Sequence, residues 1–134
     1  MMRSLRMSTI GLLTLLAACG AGDEGPPPPV AGDLLVTYFR GGPQVGAMLF
    51  TISGGKVESV SARTGQALTV SFATPLPGTT KVIITGTLQT GDILTVRVPD
   101  VSLAAGYFVK VDQVADDLTF SLIDPSQHPL TIHR

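Results

Sequence analysis

Short apolar runs that alternate with polar residues, each closed by glycine, proline or aspartate, follow one another through residues 33–134. Their apolar members are mainly Val, Ile, Leu and Phe, interleaved with Thr and Ser, and such residues favour half-buried strands. Turn residues that recur about every eight to twelve positions are typical of a sandwich or barrel. The pattern therefore predicts an all-β domain, with at most one helical turn over residues 102–106 (SLAAG).

Nine strands are predicted, over residues 34–39, 47–52, 57–62, 68–73, 81–88, 93–98, 107–114, 118–123 and 130–133. Alternation within four of them places these side chains inward: Val82, Ile84, Leu88, Leu94, Val96, Val98, Tyr107, Val109, Val111, Leu118, Phe120 and Leu122. Strands with one apolar face are typical of two antiparallel sheets packed face to face. A chain of about 100 residues is long enough for one such domain.

The first 18 residues have a different composition. Residues 1–8 contain Arg3 and Arg6 and no acidic residue, and the apolar stretch over residues 10–18 is followed by the only cysteine of the chain. A membrane-spanning helix needs roughly 20 apolar residues, and this stretch is too short. A basic start, a short apolar centre and small residues at its end describe a secretory signal. A short N-terminal helix is the alternative.

The end of this segment, Leu16-Ala17-Ala18-Cys19, resembles the lipobox of bacterial lipoproteins. The resemblance implies cleavage between Ala18 and Cys19, a diacylglyceryl group on the Cys19 sulfur and acylation of the new amine. Two or more acyl chains hold a protein stably on a bilayer. A single cysteine allows no internal disulfide. The expected partner is a membrane, bound through the lipid on Cys19; an ordinary signal with a chance cysteine is the alternative.

Residues 19–32 comprise the lipidated cysteine and a tether, GAGDEGPPPPVAG. The four prolines favour an extended polyproline II segment, and the whole tether reaches roughly 40 Å at full stretch. A ligand for a proline-reading domain is the alternative to a plain linker. Gly20 stands where an aspartate would retain a lipoprotein at the inner membrane in enteric-type bacteria. By resemblance, the protein is expected in the cell envelope, at the outer rather than the inner membrane.

Two segments, residues 46–62 (GAMLFTISGGKVESVSA) and 77–101 (PGTTKVIITGTLQTGDILTVRVPDV), resemble cohesin-type modules in their apolar spacing and glycines. Cohesins are nine-stranded jelly-roll sandwiches that bind dockerin modules, and a class of carbohydrate-binding modules shares their fold. The resemblance thus implies a cohesin-like jelly-roll over residues 33–134. Residues 51–55 (TISGG) stand where cohesins often have a Tyr-Asp-Pro motif, so the resemblance is carried over for the fold and not for a dockerin partner.

The charges of residues 33–134 nearly cancel, with seven basic and eight acidic side chains, a difference of minus one. With no basic stripe to neutralise phosphates, no nucleic-acid partner is expected. Four aspartates could offer oxygen ligands to Ca²⁺ but lack the D-x-D-x-D-G spacing: Asp112, Asp116, Asp117 and Asp124. His128 and His133 alone are too few for zinc. Turn caps are the expected role of the aspartates, and no metal or cofactor is predicted.

The sequence offers little for catalysis, because it has no G-x-S-x-G motif and no cysteine within residues 33–134. The sequence predicts a protein that is not an enzyme. A small hydrolase is the third choice, after an adhesion or scaffolding module and a carbohydrate-binding module. Phe39 and Phe108 each follow a tyrosine that faces inward, so both should face outward. With Arg40 of the loop RGGPQ, they are the candidate ligand-binding residues.

The expected function is adhesion or scaffolding with a protein or polysaccharide partner, through a sheet face or a sheet edge. A carbohydrate-binding module is the alternative. A partner that supplies a missing edge strand is a further option for this fold.

Overall fold

The computed structural model describes residues 25–134. The predicted signal peptide, which ends at Ala18, and the predicted lipidation site at Cys19 lie outside the described residues. Nine strands and two short 3-10 helices follow in this order: β1 (Gly32–Tyr38), β2 (Val45–Ser53), β3 (Ser59–Ala62), β4 (Thr69–Leu76), β5 (Thr79–Thr85), β6 (Gly91–Val98), η1 (Val101–Gly106), β7 (Phe108–Asp116), β8 (Leu122–Ile123), η2 (Pro125–Gln127) and β9 (Leu130–His133).

The strands form two antiparallel sheets. Sheet A has the order β3-β6-β1-β9, and sheet B has the order β4-β5-β2-β7-β8. Six of the eight connections pass from one sheet to the other; only β4–β5 and β7–β8 are neighbours within one sheet. The predicted all-β antiparallel sandwich is confirmed.

The core lies between the inner faces of the two sheets. In β2 every second side chain is buried, including Met48, Phe50 and Ile52. The inward positions that were predicted over residues 81–88 and 93–98, and Tyr107, are buried: Val82, Ile84, Leu88, Leu94, Val96, Val98 and Tyr107. Leu88 lies beyond the end of β5, and Tyr107 directly precedes β7. Burying such side chains stabilises the fold by about 1.5–3 kcal/mol each.

The predicted strand over residues 118–123 is wrong in extent and orientation. Only Leu122 and Ile123 pair with β7, and Leu118, Phe120 and Leu122, which were expected inward, are 87%, 63% and 68% exposed. The Asp116 carboxylate accepts hydrogen bonds from the amides of Leu118 and Thr119. These bonds close a turn directly after β7, and the apolar side chains of that turn point away from the core.

Because β8 is so short, most of β7 lacks a neighbour on one side. Val109 and Val111, which were predicted to be buried, are only half-buried for this reason. Asp112 lies opposite no residue of β2, since Val111 pairs with Phe50 and Gln113 with Leu49, so β7 carries a bulge at Asp112.

One shorter segment also differs from the prediction, and one agrees with it. Strand β4 continues through Pro75 to Leu76, because β4 lies at the edge of sheet B, where proline is tolerated. The predicted helical turn is η1, capped by the Asp100 side chain, which accepts from the Ser102 amide at 3.0 Å.

The register defines two ends of the sandwich. At the tether end, β1 begins at Gly32, the Val30 carbonyl accepts from the Val101 amide at 2.9 Å, and Ser53 pairs with Phe108. At the distal end, β1 and β2 meet the end of β7: Val45 pairs with Asp116. The tether therefore enters at one end, and the β7–β8 turn lies at the other.

Candidate functional site: an apolar tip and sheet face

The distal tip consists of Leu118, Phe120 and Leu122, the exposed apolar side chains of the β7–β8 connection. Asp116 holds this connection: its Oδ1 accepts from the amides of Leu118 at 3.0 Å and Thr119 at 2.7 Å. The Thr119 hydroxyl donates to the same carboxylate, 2.9 Å from Oδ2. The bond from the Thr119 amide is the main reason why the pKa of Asp116 is lowered. The tip is thus a hydrogen-bonded turn with an apolar surface.

Phe120 has a φ of 54°, in the left-handed region that bulky residues avoid. That conformation costs about 1–2 kcal/mol for a residue with a side chain. The Phe120 ring is mostly exposed, so burial returns little of this cost. Strain of this kind at an exposed aromatic residue makes the turn a candidate for a functional role.

The tip continues onto the outer face of sheet B. Leu122 pairs with Ala115, and Ala115 pairs with Ala47 on β2, so one row of apolar residues crosses three strands. Leu49, the next outward residue of β2, pairs with Ile83 of β5, which is half exposed. We call Ala47, Leu49, Ile83, Ala115 and Leu122 the sheet-B patch; together with neighbouring residues they line a shallow depression of about 210 Å³.

A polar network borders this patch on the tether side. Lys81 Nζ lies 2.6 Å from the Thr51 hydroxyl and 3.1 Å from the Asp112 carboxylate. The Asp112 carboxylate also accepts a hydrogen bond from the Thr51 hydroxyl at 2.5 Å. Burial would raise the pKa of Asp112, but the hydrogen bonds from Thr51 and Lys81 outweigh it and lower that pKa. An apolar centre with a polar rim is the composition of a binding surface.

Three of the four aspartates considered for calcium are used separately. Asp112 bonds Lys81, Asp116 caps the turn, and Asp124 caps η2 by accepting from the Ser126 amide at 2.9 Å. Within residues 25–134, no three His, Cys, Asp or Glu side chains lie where they could bind a metal ion together.

The three candidate ligand-binding residues do not form one site. Phe39 and Phe108 are both exposed, at 61% and 65%, as the alternation predicts. Phe39 lies at the distal end, where its amide donates to the Pro129 carbonyl, whereas Phe108 pairs with Ser53 at the tether end. Arg40 lies beside Phe39, and its guanidinium donates to the Gly42 carbonyl and the Gln44 side chain. Arg40 and Phe39 thus share one end with the distal tip, and Phe108 does not.

A buried pair close to this end was not predicted. His128 is completely buried, and its Nδ1 lies 2.8 Å from the Tyr38 hydroxyl. Burial lowers the pKa of His128, and nearby Arg40 adds to that effect. His128 Nε2 has no hydrogen-bond partner. No sequence signal marks this histidine, because it lies on a short polar segment after Pro125.

The distal tip and the sheet-B patch were also missed. The residues of the distal tip alternate as those of a half-buried strand would, so the sequence signal pointed to the core. In the part of the chain that the structure describes, no helix is long and apolar enough to cross a membrane.

The chain matches no family model, no curated protein and no solved structure. The likeness to lipoproteins and to cohesins therefore remains a hypothesis based on the quoted residues.

Proposed function

We propose that this protein is an exported lipoprotein of the bacterial cell envelope that acts as a non-catalytic adhesion or scaffolding module. Its sandwich would bind a partner through the distal tip and the sheet-B patch. The observation that carries the proposal is the strained, exposed Phe120, held by Asp116 and flanked by Leu118 and Leu122. Exposed apolar surface of this kind is typical of interaction sites.

The position of this surface supports an anchored protein. The tether enters at the end of the sandwich opposite the tip, so a lipid on Cys19 would leave the tip facing away from the bilayer. Mass spectrometry of the native protein tests the anchor. A mature chain that begins at Cys19 and carries acyl groups supports it, and an uncut chain with a free thiol overturns it.

Binding is tested by capture from the native envelope with the full chain and with a Leu118→Ser/Leu122→Ser variant. The proposal expects a partner that the wild-type protein recovers and the variant loses. Both substitutions affect side chains that are mostly exposed, so the fold should be retained. Leu103→Ser, a change of an equally apolar and exposed residue in η1, is the matched control and should leave capture unchanged.

A carbohydrate-binding module is the second candidate, and one observation favours it. Phe39 and Phe120 are exposed aromatic side chains at the same end of the sandwich, near the polar side chain of Arg40. Aromatic rings on a rigid scaffold can stack on sugars. A glycan array in which Phe39→Ala or Phe120→Ala removes a signal would favour this candidate, and turnover of a substrate panel would favour the hydrolase instead.

A further inference from the structure

Strand β7 has an open edge at the side of the sandwich. On one side β7 pairs with β2 along its whole length, but on the other side β8 pairs only with Val114 and Ala115. No other strand within residues 25–134 pairs with β7, so residues 108–113 have no strand partner on this side, where η2 and β9 lie nearby. Alternate N–H and C=O groups along such an edge point outward and are available for hydrogen bonds.

An apolar groove runs beside this edge. Its floor is formed by the half-buried Val109 and Val111, and its far wall by Pro125, Pro129 and Leu130 from η2 and the start of β9. The volume of the groove is about 350 Å³. The two valines would be buried in the core if β8 continued along β7. The groove therefore has the position and the composition of a missing strand.

We propose that an extended segment of another polypeptide docks here as an additional strand of sheet B, paired with residues 108–113 and in line with β8. This inference rests on the proposed binding role and gives it a second contact surface. Only a polypeptide offers donors and acceptors at the repeat of a strand edge, so neither a sugar nor a lipid would satisfy the β7 backbone.

The groove also determines the side chains of that segment. Its inward residues must be apolar, to cover Val109 and Val111, and must alternate with outward residues. The outward residue opposite Lys110 should be acidic. The Lys110 side chain is exposed and forms no ion pair in the described part of the chain.

Two other occupants fit less well. A second copy of β7 would pair about a two-fold axis, and the bulge at Asp112 would interrupt the shared register in both strands. The tether of the same chain offers four prolines, which lack the N–H that a ladder needs, and residues 20–25 (GAGDEG) carry no large apolar side chain.

Hydrogen exchange by NMR on the full chain tests the proposal, with the peptide acetyl-Thr-Val-Glu-Val-Thr-Val-amide as the probe. In the free protein, alternate amides in residues 108–113 should exchange rapidly. The peptide should slow them at least tenfold. Edge amides that are already protected in the free protein, or peptide protection confined to the sheet-B patch, would overturn the proposal.

Two N-methylated peptides test the backbone pairing itself. Methyl groups on one alternate set of amides should abolish the protection, and methyl groups on the other set should preserve it. Equal protection by both peptides would show that strand pairing is not involved. The lipid on Cys19 and capture through the distal tip are measured separately, so failure here is distinguishable from failure of the proposed function.

A charge swap tests the register. Lys110→Glu should weaken binding of the glutamate peptide about three- to fivefold and strengthen binding of the same peptide with lysine at that position. The matched control is Lys56→Glu, at an exposed lysine of the β2–β3 loop outside the groove, and it should change neither affinity. An equal effect of both substitutions would contradict the assigned register.

Discussion

The Tyr38 hydroxyl lies 2.8 Å from Nδ1 of His128, and the two rings stack 10° from parallel with centroids 6.0 Å apart. Both side chains are fully buried, so this pair fastens the segment between η2 and β9 to the end of β1. The contact closes the core beneath the distal end, where the candidate binding surface lies.

Tyr38→Phe should destabilise the fold by about 1–3 kcal/mol, because a buried nitrogen of His128 loses its partner. Tyr107→Phe is the matched control. The Tyr107 hydroxyl donates to the Lys56 carbonyl at 2.7 Å near the surface, where water can replace it, so its loss should cost less. Urea unfolding of both variants measures the difference, and equal costs would contradict the assigned role of the Tyr38–His128 pair.

Stability should decrease as the pH falls below about 6.5, the ordinary pKa of histidine. Burial lowers the pKa of His128 in the folded protein, so between the lowered value and 6.5 the unfolded chain binds more protons. The effect should be absent above that window. Urea midpoints at pH 7.5 and 5.5 measure it, and His128→Phe should flatten the dependence. A stability that rises on acidification through this range would refute the prediction.

Phe120→Gly should leave stability unchanged or raise it by about 1 kcal/mol, because glycine adopts a φ of 54° without strain. The same change should weaken partner capture, since the aromatic ring of the tip is lost. Phe108→Gly is the matched control: Phe108 is equally exposed but lies in a regular strand, where glycine destabilises. Thermal unfolding distinguishes the two variants, and a Phe120→Gly protein less stable than Phe108→Gly would show that the turn is not strained.

Gly54→Ala should cost at least about 3 kcal/mol or prevent folding, as expected for strain combined with a backbone clash. Gly54 has a φ of 99°, and a Cβ there would lie 1.8 Å from the Gly106 carbonyl oxygen. Gly65→Ala is the control, with a φ of 89° but open space around the added carbon, and should cost only about 1–2 kcal/mol. The denaturant midpoints of the two variants measure the difference in stability. Similar midpoints would mean that the loop around Gly106 moves to make room for the added carbon.

The alternation of apolar residues predicted the central strands well, because β5 and β6 have neighbours on both sides and one face against the core. It failed at residues 118–123, where the same alternation occurs without burial. The hydrogen bonds of Asp116 end the strand ladder there, and no periodicity reports a side-chain cap. Because a full strand was predicted over residues 118–123, neither the distal tip nor the open edge of β7 was predicted.

The candidate site was predicted only in part. Alternation placed Phe39 and Phe108 outward, but strand order decides which outward residues meet, and one chain without pairing information does not reveal that order. The burial of His128 depends on a contact with Tyr38, 90 residues away in the sequence. Such long-range contacts are specified by the fold as a whole and not by local composition.

Under the proposed anchoring and binding role, the placement of the tether and the tip at opposite ends would make the domain a spacer as well as a binding module. A nine-residue strand contributes roughly 30 Å of height, added to a stalk of roughly 40 Å at full extension. Under the proposed anchoring, each deleted proline would lower the working height by about 3 Å without altering either surface. Reach and recognition could then be adjusted independently, by stalk length and by surface chemistry.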